Sequence, residues 1–233
     1  MAPMTTTLIT GANKGLGYET ARRLLAKGHD VWISARASES GRQAAVELGA
    51  RFVQLDVTKE ESIAAAVVSV EAETGLDVLI NNAGIAGHYG PIAEITAAGV
   101  EHVYDTNVFG PVRVTQAFMP LLQRSSAPVV VNVASGLGSE TLVRDPERDE
   151  SRVNSVAYCS SKSALIMITT QYAKGYPDIR INVVDPGYTA TDLNHHSGHQ
   201  TVQEGTDAIV AMASIGPDGP TGTFTDRHGI VPW

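Results

Sequence analysis

The sequence predicts a single α/β domain built on a doubly wound, mainly parallel sheet of seven strands flanked by helices. Short β-rich apolar runs alternate with helix-length segments along the chain. The runs are continuously apolar rather than alternating, which is the pattern of strands covered by helices on both faces. A glycine-rich stretch follows the first run at once and opens into a helical pattern, the usual start of such a sheet.

Six strands are read from Thr6–Thr10, Val31–Ser34, Arg51–Leu55, Val78–Ile80, Val129–Val133 and Ile179–Val184, with a seventh near Gly222–Thr225. Between them Tyr18–Lys27, Glu60–Thr74, Glu101–Gln123 and Ala157–Lys174 carry apolar residues at helical spacing. Gly28 and Gly75 stand where two of these helices should stop. Two stretches break the rhythm: the charged insertion Glu140–Asn154, and the polar, histidine-rich Asn194–Gln203. Both are read as solvated loops beside the site, residues 188–203 as a lid over substrate.

A chain of 233 residues, 43% hydrophobic, supports one core and one domain over residues 1–233. Its net charge of −8 argues against a sequence-independent nucleic-acid binder, which needs a basic face. The single cysteine, Cys159, excludes an internal disulfide framework and fits a reducing, cytoplasmic setting; it is read as a small buried filler. The opening Met1–Thr7 lacks a basic segment followed by an apolar one, and no apolar run approaches the ~18–20 residues that span a bilayer. Neither export nor a membrane anchor is expected. His195, His196 and His199 lack helical context and a carboxylate co-ligand, so they are read as solvated lid residues rather than a metal site.

The first strand runs into Thr10-Gly11-Ala12-Asn13-Lys14-Gly15-Leu16-Gly17. Glycines there let backbone approach a pyrophosphate closely, and the following helix start offers free N–H groups and a positive dipole end. The spacing departs from G-x-G-x-x-G, and a tight strand-to-helix turn is the alternative; its place after the first strand favours a Rossmann-type dinucleotide site. The second strand ends Ser34-Ala35-Arg36, a base where an NAD site usually carries an acid. With Lys14 in the glycine loop, two cations could meet a 2′-phosphate, so NADP(H) is expected. Arg36 could instead be a solvated charge leading into a helix, and Glu39 a partner for the ribose.

Tyr158 and Lys162 lie at i and i+4, on one face of the Ala157–Lys174 helix. An ammonium stabilises a phenolate and brings the phenol, ordinarily near pKa 10, toward the working range of a general acid. Ser135, just past Val129–Val133, offers a second donor at a strand carboxyl end. In sequence order Thr10–Gly17, Asp56, Asn81-Asn82-Ala83-Gly84, Asn107, Ser135, Tyr158–Lys162 and Pro186-Gly187 resemble the short-chain dehydrogenase/reductase family over essentially the whole chain.

That resemblance implies a catalytic tetrad of Asn107, Ser135, Tyr158 and Lys162, with Asn107 positioning a water behind Lys162. It implies cofactor contacts at Gly11, Asn13, Lys14, Gly15, Leu16, Gly17, Arg36, Asp56, Val57, Asn82, Ala83, Gly84, Tyr158, Lys162, Pro186, Gly187, Thr189 and Thr191. Within the family the likeness is to NADPH-dependent carbonyl reductases. The expected activity is reduction of a ketone, aldehyde or quinone, or the reverse oxidation of an alcohol. The alternative is an NADP(H)-binding sensor without turnover; a sugar-nucleotide enzyme is disfavoured by the short stretch after Pro186. Residues 140–154 could cover a helix face through which many relatives tetramerise, so a monomer or dimer is expected over a tetramer. Trp233 could pack near the pocket or cover the sheet.

Overall fold

The computed structural model describes residues 4–88 and 90–233; of the opening stretch, Met1–Pro3 lie outside the described residues. The strands are β1 (Thr6–Ile9), β2 (Asp30–Ala35), β3 (Arg51–Gln54), β4 (Val78–Asn81), β5 (Val129–Val133), β6 (Arg180–Val184), β7 (Phe224–Asp226) and β8 (Gly229–Ile230). They form one sheet in the order β3-β2-β1-β4-β5-β6-β7-β8. All pairs are parallel except β7 with β8. The order reverses between β1 and β4, whose Thr7 and Val78 are register partners. Ligands of open α/β sheets bind outside the strand carboxyl ends at such a reversal.

The seven-stranded expectation is corrected to eight. The additional strand is a two-residue return after the Arg227-His228 turn, where Asp226 accepts the N–H groups of His228 (2.6 Å) and Gly229 (2.9 Å). Both residues of β8 are exposed, and a run of two is too short to read as a strand.

Successive strand residues point to opposite faces. Leu8, Leu79, Val130 and Ile181 pack into one core layer, while Ile9, Ile80, Val131 and Val184 pack into the other. The first layer is closed by α3 (Glu60–Glu73), α5 (Gly110–Leu122) and α7 (Val156–Gly175), through Ile63, Val70, Phe118, Leu122 and Ala173. The second is closed by α1 (Gly15–Ala26), α2 (Ser38–Leu48) and a late helix, Asp207–Ala213, through Leu24, Ala44, Ala45, Ile209 and Val210.

The expected helix Glu101–Gln123 is longer and irregular. It begins as α4 (Ala97–Tyr104), capped by the Thr96 hydroxyl, passes through a π-helical turn at Asp105–Phe109, and continues as α5. The insertion is not a bare loop. It holds α6 (Glu140–Arg144) and a 3-10 turn at Asp149–Arg152, with Ser139 capping α6 and Leu142 buried. The lid stretch likewise carries a 3-10 turn at Asp192–Asn194 and a short helix, α8 (Val202–Gly205), each held by a capping box; the late helix is α9.

Candidate active site

The glycine loop is built by backbone strain that only glycine tolerates cheaply. Gly11 and Gly15 have φ of +63° and +59°. Gly17 is required for a different reason: a Cβ there would lie 2.6 Å from Asn82 Nδ2 and 2.7 Å from Ala12 Cα. Asn82 uses that amide to donate to the carbonyls of Thr10 (2.9 Å) and Gly11 (3.0 Å). Thr10 Oγ1 accepts from the N–H groups of Asn82 (3.0 Å) and Ala83 (3.1 Å). The ends of β1 and β4 are thereby locked together where the sheet order reverses. Helix α1 begins at Gly15 with no side-chain cap, leaving its N-terminal dipole end for an outside acceptor.

Of the other residues expected at the cofactor, Arg36 follows the end of β2 and Asp56 and Val57 the end of β3. Asn13 donates to Ser40 at 3.3 Å. Arg36 is exposed at the end of β2 and helps hold Asp56 ionised. Burial raises the Asp56 pKa, but the Thr58 N–H (2.9 Å) and hydroxyl (2.8 Å), with Arg36 and Lys59, outweigh it and leave the carboxyl below its ordinary value. Val57 is buried against Gly110, whose absent side chain would otherwise strike it at 2.9 Å. The Lys14 ammonium pairs with Asp192 at 2.7 Å, so the glycine loop and the lid stretch touch.

Around the Pro-Gly turn, Gly187 has φ +70° and Thr189 donates to the Pro186 carbonyl at 3.0 Å. Thr189 also bridges to Gln200, and Thr191 caps the Asp192–Asn194 turn. Leu16 packs partly buried against the second core layer. His196 pairs with Asp192 at 2.9 Å, and His199 meets the Tyr188 ring edge-on. No group of three or more His, Cys, Asp or Glu able to hold a metal occurs among the described residues.

At the carboxyl end of β5, Ser135 is extended (φ −170°) and its Oγ accepts the Leu137 N–H at 3.2 Å, which leaves the hydroxyl hydrogen free in direction. Tyr158 and Lys162 are both buried on α7. The Lys162 ammonium donates to the Val133 carbonyl at 2.9 Å and lies 5.5 Å from the Tyr158 ring centroid. Burial lowers its pKa to about 8, against the opposing charge of Asp185. At neutral pH the ammonium persists, yet loses its proton far more readily than an exposed lysine.

Asn107 sits in the π-helical turn, which points it inward. Its Oδ1 accepts the Ile85 N–H and its Nδ2 donates to the Ile85 carbonyl, each at 2.9 Å. Nδ2 also donates to Ser161 Oγ at 3.1 Å, and Ser161 donates to the Tyr158 carbonyl at 2.7 Å. A Cβ on Gly84 would lie in ordinary contact, 3.4 Å from Asn107 Oδ1 and 3.6 Å from Lys162 Nζ, so Gly84 borders both groups.

Residues 5–202 match the family model for short chain dehydrogenases. The chain is a short-chain dehydrogenase. It is 32% identical to (+)-neomenthol dehydrogenase of Capsicum annuum, with 96% of each chain covered. The alignment runs over 301 positions, more than this chain has, so the Capsicum relative carries segments that this short-chain dehydrogenase lacks. Among solved structures, salutaridine reductase from Papaver somniferum superposes with a TM-score of 0.83 at 27% identity, over 95% of this chain and 99% of that one. A variant of actinorhodin polyketide ketoreductase with NADPH gives a TM-score of 0.82 at 26% identity, over 96% and 95%.

Four residues at this site are absent from the sequence-based set. Thr10 and Ser161 are small hydroxyls inside recognised motifs, where only the hydrogen-bond partners reveal a role. Asp185 ends β6, buried. Glu150, from the insertion, reaches the space beside Gly136. No local spacing marks the last two. Cys159 is half-buried, and burial raises its thiol pKa. Trp233 packs against Phe224 with centroids 6.1 Å apart, and its carbonyl accepts from the N–H and hydroxyl of Thr141. With Gly138, Glu140, Ser163, Ile166 and Met167 it lines a cleft of about 240 Å³. No helix is long and apolar enough to cross a membrane among the described residues.

Proposed function

We propose that the protein is an NADP(H)-dependent reductase of a ketone, aldehyde or quinone carbonyl, the same residues serving alcohol oxidation in reverse. The observation that carries this reading is the buried pairing of Lys162 with Tyr158 at the strand end that also bears Ser135. A buried ammonium beside a phenol favours the phenolate and so makes Tyr158 a usable acid near neutral pH.

The chain fits a dinucleotide on its own geometry. A Cβ on Gly15 would meet nothing within 4 Å, which leaves room at the start of α1 for a pyrophosphate. Gly11, Asn13, Leu16 and Gly17 would hold that group. Arg36 would take the 2′-phosphate, and Lys14 would join it on leaving Asp192. Asp56 and Val57 would bound the adenine, Asn82, Ala83 and Gly84 the adenosine side, and Pro186, Gly187, Thr189 and Thr191 the nicotinamide side. When bound, the cofactor supplies the hydride. Ser135 orients the carbonyl oxygen by donating its free hydroxyl hydrogen, and Tyr158 delivers a proton to that oxygen as charge builds on it. Lys162 holds the phenolate left behind. Asn107 keeps the Ile85 backbone in place and, through Ser161, the Tyr158 carbonyl.

Oxidation of NADPH, followed by its absorbance across a panel of quinones, aldehydes and ketones, tests this beside Tyr158→Phe. Turnover that the substitution abolishes supports the reading. Tight NADPH binding with no turnover on any compound moves the protein to a sensor role. The same reading places it in a reducing compartment such as the cytoplasm and as a monomer or dimer; a light-scattering mass of four chains would overturn the latter.

A further inference from the structure

Asp185 ends β6 and is 6% exposed. Its Oδ1 accepts the Gly187 N–H at 2.9 Å, and the Gly136 N–H also favours its ionised form. Gly136 immediately follows Ser135, and Gly187 closes the Pro-Gly turn. One carboxyl is thus shared by the two strand ends that flank the site. The insertion reaches the same point, because a Cβ on Gly136 would lie 2.9 Å from both Asp185 Oδ2 and Glu150 Oε1, and 3.2 Å from Leu142 Cδ1. Glu150 is in turn paired with Arg148 at 3.1 Å.

We infer that Asp185 is a positioning residue that ties the turn after Ser135 to the Pro186-Gly187 turn, and that the charge of Glu150, in the insertion, sets the pH at which this tie loosens. The inference rests on the reductase reading above. An ionised carboxyl accepts two N–H groups at once, whereas a protonated one binds them more weakly. Holding both turns fixes Ser135 relative to the nicotinamide wall, which is the kind of alignment that sets kcat. The charged groups around Asp185 are Lys162 from α7, Glu150 and Arg148 from the insertion, and Asp226 from β7. Burial first, and then Glu150 and Asp226, raise the Asp185 pKa, so the tie weakens as pH falls through that raised value.

Asp185→Asn and Glu150→Gln test this by two routes. The first uses no substrate: hydrogen exchange of the Gly136 and Gly187 amides should speed up by roughly tenfold to 150-fold in Asp185→Asn, the loss of a charge-assisted hydrogen bond. Melting temperature should stay near that of the parent protein. The second is the pH dependence of kcat: Asp185→Asn should lower kcat and abolish the acid limb, while Glu150→Gln should move that limb to lower pH. Unchanged amide exchange in Asp185→Asn overturns the inference. So does faster exchange across the whole core with a fallen melting temperature, since that marks a merely structural acid. An acid limb unmoved in Glu150→Gln overturns the part given to the Glu150 charge. If the parent protein turns over no carbonyl, the reductase reading fails, and the exchange experiment still decides whether Asp185 holds the two turns.

Discussion

Lys162 is the residue whose environment does most to define the chemistry. Its pKa, lowered by burial to about 8, means the charge is present below that value and lost above it. The kcat/KM for carbonyl reduction should therefore fall as pH rises through about 8, since that ratio reports groups of the free enzyme. A flat profile into the ordinary lysine range would show that the ammonium is not needed. Arg36 makes the second residue-scale prediction. Losing one charge-assisted hydrogen bond costs ~1.5–3 kcal/mol, so Arg36→Ala should weaken NADPH binding roughly tenfold to 150-fold and leave NADH nearly unaffected. Fluorescence titration with both cofactors checks it, and an unchanged NADPH/NADH preference would send the 2′-phosphate elsewhere. Tyr158 and Lys162 were legible because i and i+4 spacing places them on one face of α7. Asp185 was not, because an acid at a strand end reads the same whether it is solvated or, as here, 6% exposed.

Among the elements, the β1–α1 turn makes the sharpest demand on sequence. Gly17→Ala would drive a methyl group into the Asn82 amide and the Ala12 backbone, disturbing the Asn82 bonds to Thr10 and Gly11. Overpacking of this kind costs ~1–3 kcal/mol, which for a domain of this size lowers the melting temperature by roughly 2–12 °C. Calorimetry would show it, together with weaker NADPH binding; a stable variant with parental affinity would mean the turn can relax. Elements buried on both faces, such as β5 and β6, were readable as unbroken apolar runs. Helix α2 was not, since its buried contacts are only Gly41, Ala44 and Ala45. The insertion hid two helical turns because its Arg144–Glu140 and Arg152–Asp149 pairs look, in sequence, like scattered surface charge.

For the whole molecule, a cofactor that binds only the folded state should raise its stability. At a hundredfold excess over Kd the gain is ~2.7 kcal/mol, or roughly 5–11 °C in melting temperature for a domain of this size. Differential scanning fluorimetry with NADPH measures it, and no shift at saturating cofactor would remove the dinucleotide assignment. The overall architecture was legible from the alternation of strand-like runs with helical segments, but the closing β8 was not, because two exposed residues bury nothing. That small return has a consequence for association. An open row of backbone groups at a sheet margin is a template on which another chain can add a strand. Here one margin is the four-residue β3, fringed by Arg51 in its pairs with Asp30 and Glu73, and the other is only two residues long. Neither margin offers a fibre a long open row of backbone groups.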